Sequence, residues 1–224
     1  MTEISVDELT TLLIEDGATS VVQYGSSLTA PETANDIDLF AIYPEDAGTN
    51  LQLGPFDVTR LTESEFTYYR DRRNPVYCTE PCLTGSVVAG DETLISETAA
   101  SVQATAPPQQ AINHNVNRSI EAFSDCVDAL SSNAVEYTVE RLDFVVTYWL
   151  FATWYAAGNP TRPLSEIRKQ SETGEIIEEV FELVESQRAH QSPDAAEIAT
   201  LIEEWQTFML TDRFECPKIS ENTD

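Results

Sequence analysis

Positive charge is what this 224-residue chain has least of: 12 Lys and Arg stand against 39 Asp and Glu, a formal net charge of −27, and only Lys169 and Lys218 are lysines. A protein without a basic stripe to neutralise phosphates is not built for DNA or RNA. Histidine is nearly absent too, with His114 and His190 alone, and His190 sits in a polar Gln-Arg-Ala-His-Gln stretch that reads as solvated. The four cysteines, Cys78, Cys82, Cys126 and Cys216, show no evenly spaced framework, so a disulfide scaffold is not expected. Cys78 and Cys82 lack the second close ligand pair that a zinc site needs and read as buried or half-buried thiols. No long apolar run exists either. Phe144 to Ala157 is the most apolar stretch, but its 14 residues fall short of the roughly 20 that span a bilayer. With no charged and apolar leader at the N-terminus, the expectation is a reduced, cytoplasmic protein away from membranes.

What is present suffices for a core. Hydrophobic residues make up 42% of a length that fits one large domain or two small ones. Ser5 to Asp16 carries Val6, Leu9, Leu12 and Leu13 at helical spacing, with Ser5 and Glu8 as a capping box and Gly17 as the stop. Strands are predicted near Ser20–Tyr24, Asp36–Tyr43 and Pro55–Leu61. A helix capped by Thr62 and Glu65 follows and runs to about Arg73, where Pro75 ends it; a short strand is expected within Leu83–Gly90. Ser101 to Gln110, rich in Ala, Thr and Pro, reads as a connection. Beyond it, Ala111–Leu130, Val135–Ala157, Ile176–Gln187 and Ala195–Leu210 have helical patterns. The expected fold is α+β: a small mixed or antiparallel sheet with flanking helices over 1–100, then a helical bundle over 109–215.

The passage richest in chemistry is Val21-Val22-Gln23-Tyr24-Gly25-Ser26-Ser27, followed after nine intervening residues from Ser26 by Asp36-Ile37-Asp38-Leu39. Alternation along a strand sends Asp36 and Asp38 to one face and Ile37 and Leu39 to the other. Two carboxylates held together disfavour each other's ionisation unless a cation sits between them, and Mg²⁺ combines carboxylate oxygens with water and phosphate. Gly25 lets backbone approach a phosphate, and Ser26 or Ser27 can donate a hydroxyl to it. A chain with 14 Asp supplies about one Asp-x-Asp by chance, so the pair alone could be a solvated strand edge. The order of strand, Gly-Ser-Ser turn, interval and acidic strand is the informative part.

That order resembles the signature of the DNA polymerase beta-like nucleotidyltransferase superfamily, and within it small stand-alone members such as the minimal and kanamycin nucleotidyltransferases. The match covers about residues 20–60. The resemblance implies a third carboxylate on a later strand. Asp57 in Phe56-Asp57-Val58-Thr59 is the candidate, although its 19-position distance from Asp38 is shorter than in many relatives, and a surface acid on an edge strand is the alternative. It further implies transfer of a nucleoside monophosphate from an NTP, ATP as donor, to an acceptor hydroxyl. Two Mg²⁺ ions would be held by Asp36, Asp38 and Asp57, with Gly25, Ser26 and Ser27 at the phosphates and Asp57 as general base.

Arg162, Arg168 and Lys169 form a dense basic island in the second half. Arg168 and Lys169 could neutralise the triphosphate's far end, as helical-domain cations do in relatives; pairing with Glu166 and Glu172 is the plainer alternative. Tyr148, Trp149, Phe151, Trp154 and Tyr155 read first as core. The acceptor stays open between a small hydroxylated molecule and a protein, as for minimal nucleotidyltransferases that adenylylate a partner toxin; a non-enzymatic interaction module is the third class. The acid is spread along the whole length, in the style of salt-in halophiles, haloarchaea especially. There the Debye length shrinks to about 3 Å and local geometry decides what binds.

Overall fold

The computed structural model describes residues 4–29, 36–170, 175–188 and 194–211. The chain divides into two compact units: Met1–Pro108 with Pro160–Pro163, and Gln109–Asn159 with Leu164–Asp224.

The first unit is built on a five-stranded mixed sheet. In chain order it contains α1 (Val6–Glu15), β1 (Ser20–Tyr24), a one-turn α2 (Ser26–Thr29), β2 (Ile37–Tyr43), β3 (Leu51–Leu53), β4 (Phe56–Thr62), α3 (Glu63–Asp71), a π-helical turn (Pro75–Thr79), α4 (Glu80–Thr84), β5 (Ser86–Gly90) and α5 (Thr93–Ala104). Both predicted capping boxes form: Ser5 with Glu8 opens α1, and Thr62 with Glu65 opens α3. The strand order is β3-β4-β2-β1-β5. β1 pairs antiparallel with β2 and β5, whereas β4 runs parallel to β2 and antiparallel to β3. Gly54 and Pro55 form the two-residue β3–β4 link, with Gly54 at φ +61. A left-handed first turn residue followed by Pro gives the hairpin twist that L residues resist.

Alternation gives the sheet two apolar faces. Leu39, Ala41, Tyr43, Val21, Phe56 and Val58 pack under Leu9 and Leu13 of α1. On the opposite face Phe40, Ile42, Val22 and Leu61 meet Phe66, Cys78, Cys82 and Ile95. Each such side chain, fully buried, contributes about 1.5–3 kcal/mol. Both layers are covered, which matches the unbroken apolar run at the end of β2.

One expectation needs correction: the connection expected from Ser101 is helical to Ala104, because Ile95, Thr98 and Val102 bury one face of α5. α3 ends at Asp71, ahead of Pro75 as expected, and Pro75 then opens a π-helical turn: the Asn74 side chain accepts from the Tyr77 N–H at 2.9 Å, and Pro at the first position needs no partner. Strand β3 is the other half of the hairpin with β4.

The second unit is helical throughout its described residues: α6 (Gln109–Ser131), α7 (Val135–Ala156), α8 (Leu164–Gln170), α9 (Glu175–Arg188) and α10 (Ala195–Thr211). The buried stripe of α6 is Ala111, Asn115, Ser119, Ala122, Cys126 and Ala129, small enough to let α7 approach closely. Ser119 donates to the Val145 carbonyl at 2.9 Å, so a polar group in that seam has its partner. α7 is buried on most sides. Tyr148, Trp149, Phe151 and Tyr155 are core, as their pattern suggested, and Trp149 meets Trp205 edge-on at 6.2 Å. Among the described residues no helix is long and apolar enough to cross a membrane.

Candidate active site

The sequence motif folds at one end of the sheet, where β1 finishes and β2 and β4 begin. Parallel register places Asp38 beside Asp57 and Leu39 beside Val58. Register neighbours in a sheet share a face, so the two carboxylates stand on adjacent strands, on the side of Phe40 and Ile42. Asp36 lies one residue before β2, exposed, in a bend rather than in the strand. The strand therefore starts one residue later than expected, and the pair that the sheet itself brings together is Asp38 with Asp57. Asp36 still acts on the site: burial, and next the negative charge of Asp36, raise the Asp57 pKa above the ordinary carboxylate value.

Gly25 forms the wall opposite Asp38. Its φ is +77, and an ideal Cβ there would sit 2.3 Å from Asp38 Oδ2. The carboxylate thus occupies the space that any larger residue would fill, which explains the glycine more fully than the turn alone. The expected tight turn is a helical turn in the structure, α2. Ser27 is engaged within it: its hydroxyl donates to the Tyr24 carbonyl at 3.2 Å and accepts from Gln23 Nε2 at 3.2 Å. Ser26 opens α2; its side chain lies outside the described residues.

Two site residues escaped the sequence reading. Tyr24 precedes Gly25 and is the register partner of Asp38. Its pKa is pushed up, first by burial and next by the charge of Asp38, with Asp57 and Tyr77 adding to it, while a hydrogen bond with Thr59 acts the other way. Thr59 follows Asp57 by two positions on the same face. The available signal was alternation itself, which sends Tyr24, Asp38, Asp57 and Thr59 to one side once the strands are aligned.

A divalent cation fits the chemistry of this donor set. Burial and a like charge already oppose the ionisation of Asp57, and a cation reverses both effects. Among the described residues no group of three or more His, Cys, Asp or Glu is arranged to hold a metal ion. Mg²⁺ commonly takes one or two carboxylates and completes its octahedron with water and phosphate oxygens, so an in-register pair suits it.

Arg168 and Lys169 lie on α8 in the second unit. Lys169 is exposed, whereas the Arg168 guanidinium bridges Glu178 at 3.1 Å and Glu185 at 3.7 Å and lies 3.8 Å over the Phe181 ring. Its acidic partners are these two glutamates of α9 rather than Glu166; Glu172 lies outside the described residues. Arg141 pairs with Glu140 at 2.9 Å and stacks on Tyr137 and Phe144. Cys78 and Cys82 are both buried, the nearness of Cys82 and burial raise the Cys78 thiol, and burial pushes the Cys126 thiol up to about 12. His190 and Cys216 lie outside the described residues.

No protein family's sequence profile matches this chain, and no curated protein does. Among solved structures the chain is similar to the nucleotidyltransferase-like protein from Exiguobacterium sibiricum 255-15, at 10% identity over 87% of this chain and 72% of that one, with a TM-score of 0.36. A likeness that low carries no argument about function; the geometry of the site has to.

Proposed function

We propose that the first unit is the catalytic part of a nucleotidyltransferase, which moves a nucleoside monophosphate from an NTP, ATP as the assigned donor, to a hydroxyl of a small-molecule acceptor. The observation that carries the reading is the parallel pairing of Asp38 with Asp57 on one face, with the Gly25 wall against Asp38. Asp38 and Asp57 would hold Mg²⁺, with Asp36 adding negative charge nearby, and the ion would supply charge neutralisation for the attacking and leaving oxygens of an in-line displacement.

The chain's own groups do the rest. Asp57 accepts the acceptor's proton as that oxygen bonds to the α-phosphorus and the bond to pyrophosphate breaks. With Ser27 held by Tyr24 and Gln23, phosphate contact is assigned to the Gly25–Ser26 segment. The scarcity of cations favours a small acceptor over a nucleic acid.

The test is incubation with Mg²⁺ and each labelled NTP in high KCl, with a cell extract as the acceptor source. Label moving to a small molecule, lost in Asp38→Asn, is the expected outcome. Label moving to protein would replace the small-molecule acceptor with the partner-modifying one. No transfer, together with no Mg²⁺-dependent NTP binding, would overturn the enzyme reading.

A further inference from the structure

Lysine is absent from the first unit, whose cations are Arg60, Arg70, Arg72, Arg73 and Arg162, and three of these five cluster at the end of α3. The path of α3 fixes where that cluster lies. Thr62 ends β4 level with Tyr43 and caps the helix. Four residues later Phe66 meets Phe40 at 5.9 Å, three strand positions back toward Asp38. α3 therefore returns over the face that carries Asp38 and Asp57, heading for their end of the sheet. Four residues beyond Phe66 add a rise of about 6 Å, close to the roughly 6.6 Å between Phe40 and Asp38 along β2. Residues at i and i+4 share a helix face, so Arg70 follows Phe66 on the sheet-facing side and comes level with the acid pair.

The neighbouring arginines are committed elsewhere. Arg73 is buried and donates to Thr105 Oγ1; Arg72 stacks 3.6 Å over the Tyr68 ring; Arg60 points to the opposite face of the sheet, toward Asp16 and Tyr43. Arg70 donates to its sequence neighbour Asp71, from Nε at 3.1 Å and Nη2 at 3.0 Å, with the two side chains 35% and 47% exposed. An ion pair that exposed contributes little, so its carboxylate can be exchanged for a phosphate. We propose that Arg70 is the pyrophosphate-binding residue of the donor site: its guanidinium fork takes the β- and γ-phosphate oxygens of the NTP while the acid pair holds the cation. This rests on the proposed function and deepens it, since the anion contact comes from α3 of the sheet unit rather than from Arg168 and Lys169. Asp71 is then a competitor that the phosphates displace. A cation in the last turn of α3 also suits the helix dipole, but that contribution does not distinguish one ligand from another.

Equilibrium dialysis of the full chain in high KCl with Mg²⁺ and radiolabelled ATP, AMP or inorganic pyrophosphate, without acceptor, tests this in the absence of turnover. Arg70→Gln should weaken ATP and pyrophosphate about 10- to 100-fold and leave AMP within about twofold. Arg70→Lys, a point charge without the fork, should recover part of the loss. Asp71→Asn should tighten pyrophosphate about two- to threefold by releasing the fork, and Arg72→Gln should bind it as wild type does. Unaltered ATP and pyrophosphate affinity in Arg70→Gln overturns this role while leaving the donor site standing. Equal losses of ATP and AMP also overturn it, because they report a damaged site rather than a lost phosphate contact. If Arg70→Gln does not fold, Arg70→Lys and Asp71→Asn decide, and wild-type pyrophosphate affinity in both overturns the role. Wild-type chain with no Mg²⁺-dependent ATP binding sensitive to Asp38→Asn overturns the donor site and, with it, this assignment.

Discussion

Gly25→Ala separates backbone strain from chemistry. Two costs arise at that position. A left-handed backbone is unfavourable for an L residue by about 1–2 kcal/mol, and the wild-type φ is +77. The added Cβ would also lie 2.3 Å from Asp38 Oδ2, so the carboxylate has to swing away. Driving a short side chain off its rotamer adds about 0.5–1.5 kcal/mol. The sum, about 1.5–3.5 kcal/mol, corresponds to a fall in Tm of roughly 3–14 °C at 2–4 °C per kcal/mol. Gly158 is the matched control: its φ is +78 and nothing lies within 4 Å of its Cβ position. Gly158→Ala should therefore lose only the strain part, about 1–2 kcal/mol. Catalysis should divide the two variants far more sharply, because a displacement of about 1 Å at a reacting group can cost about 100-fold. Thermal denaturation followed by circular dichroism gives the first comparison, and labelled transfer from NTP gives the second. Equal transfer rates in the two variants, each corrected for folded fraction, would refute the idea that Gly25 is there to admit the Asp38 carboxylate.

Other perturbations test the same structure from different sides. Asp57→Asn should abolish transfer and leave nucleotide affinity within a few-fold, measured by equilibrium binding. The same variant should also be more stable than wild type at neutral pH. Because the folded pKa of Asp57 is raised, its stabilising contribution is complete below the unfolded value and is lost as pH rises through the folded one, so the Tm gain of the variant should shrink as pH falls toward 3.8. Thr62→Ala removes half of the capping box that starts α3 and should cost about 1 kcal/mol in a urea melt, with transfer kinetics unchanged. Arg168→Ala should cost about 1 kcal/mol in a urea melt through lost contacts with Glu178 and Phe181; a rise in KM for NTP beyond twofold would put Arg168 at the triphosphate.

What could be read in advance follows physical locality. The capping boxes at Ser5 and Thr62 and the strand ends at Tyr24 and Tyr43 depend on residues within a turn or two of one another, and spacing alone reveals them; the apolar spacing of α6 does not mark its packed face, since Ile120 and Val127 are exposed while Ser119, Ala122 and Cys126 are buried. The relation of Asp38 to Asp57 is not local. It depends on β4 entering parallel beside β2 by way of a three-residue edge strand whose Leu51-Gln52-Leu53 has no distinctive pattern. Tyr24 was hidden for the same reason: it meets Asp38 only once β1 and β2 pair, and nothing in either residue's neighbourhood predicts the meeting. Arg168 shows the converse failure, since nearness in sequence suggested Glu166, whereas α9 supplies Glu178 and Glu185 from across the packed helices. Asp36 and α5 were misplaced by a residue or a turn at boundaries where burial, not composition, determines the end.

The composition of the first unit also sets an order of events during synthesis. That unit includes Pro160–Pro163, with Thr161 fully buried, and the ribosome reaches those residues only after making α6 and α7. At about 5–20 residues per second, the sheet and its acids emerge seconds before their last segment does. The α6–α7 hairpin, joined by three residues and rich in local contacts, is the kind of element that folds quickly. A nascent chain therefore carries a finished helical hairpin while its sheet unit is still missing a piece. Chaperone contacts would act on that incomplete state, and a gene fragment ending at Pro108 would encode the first unit without its Pro160–Pro163 segment.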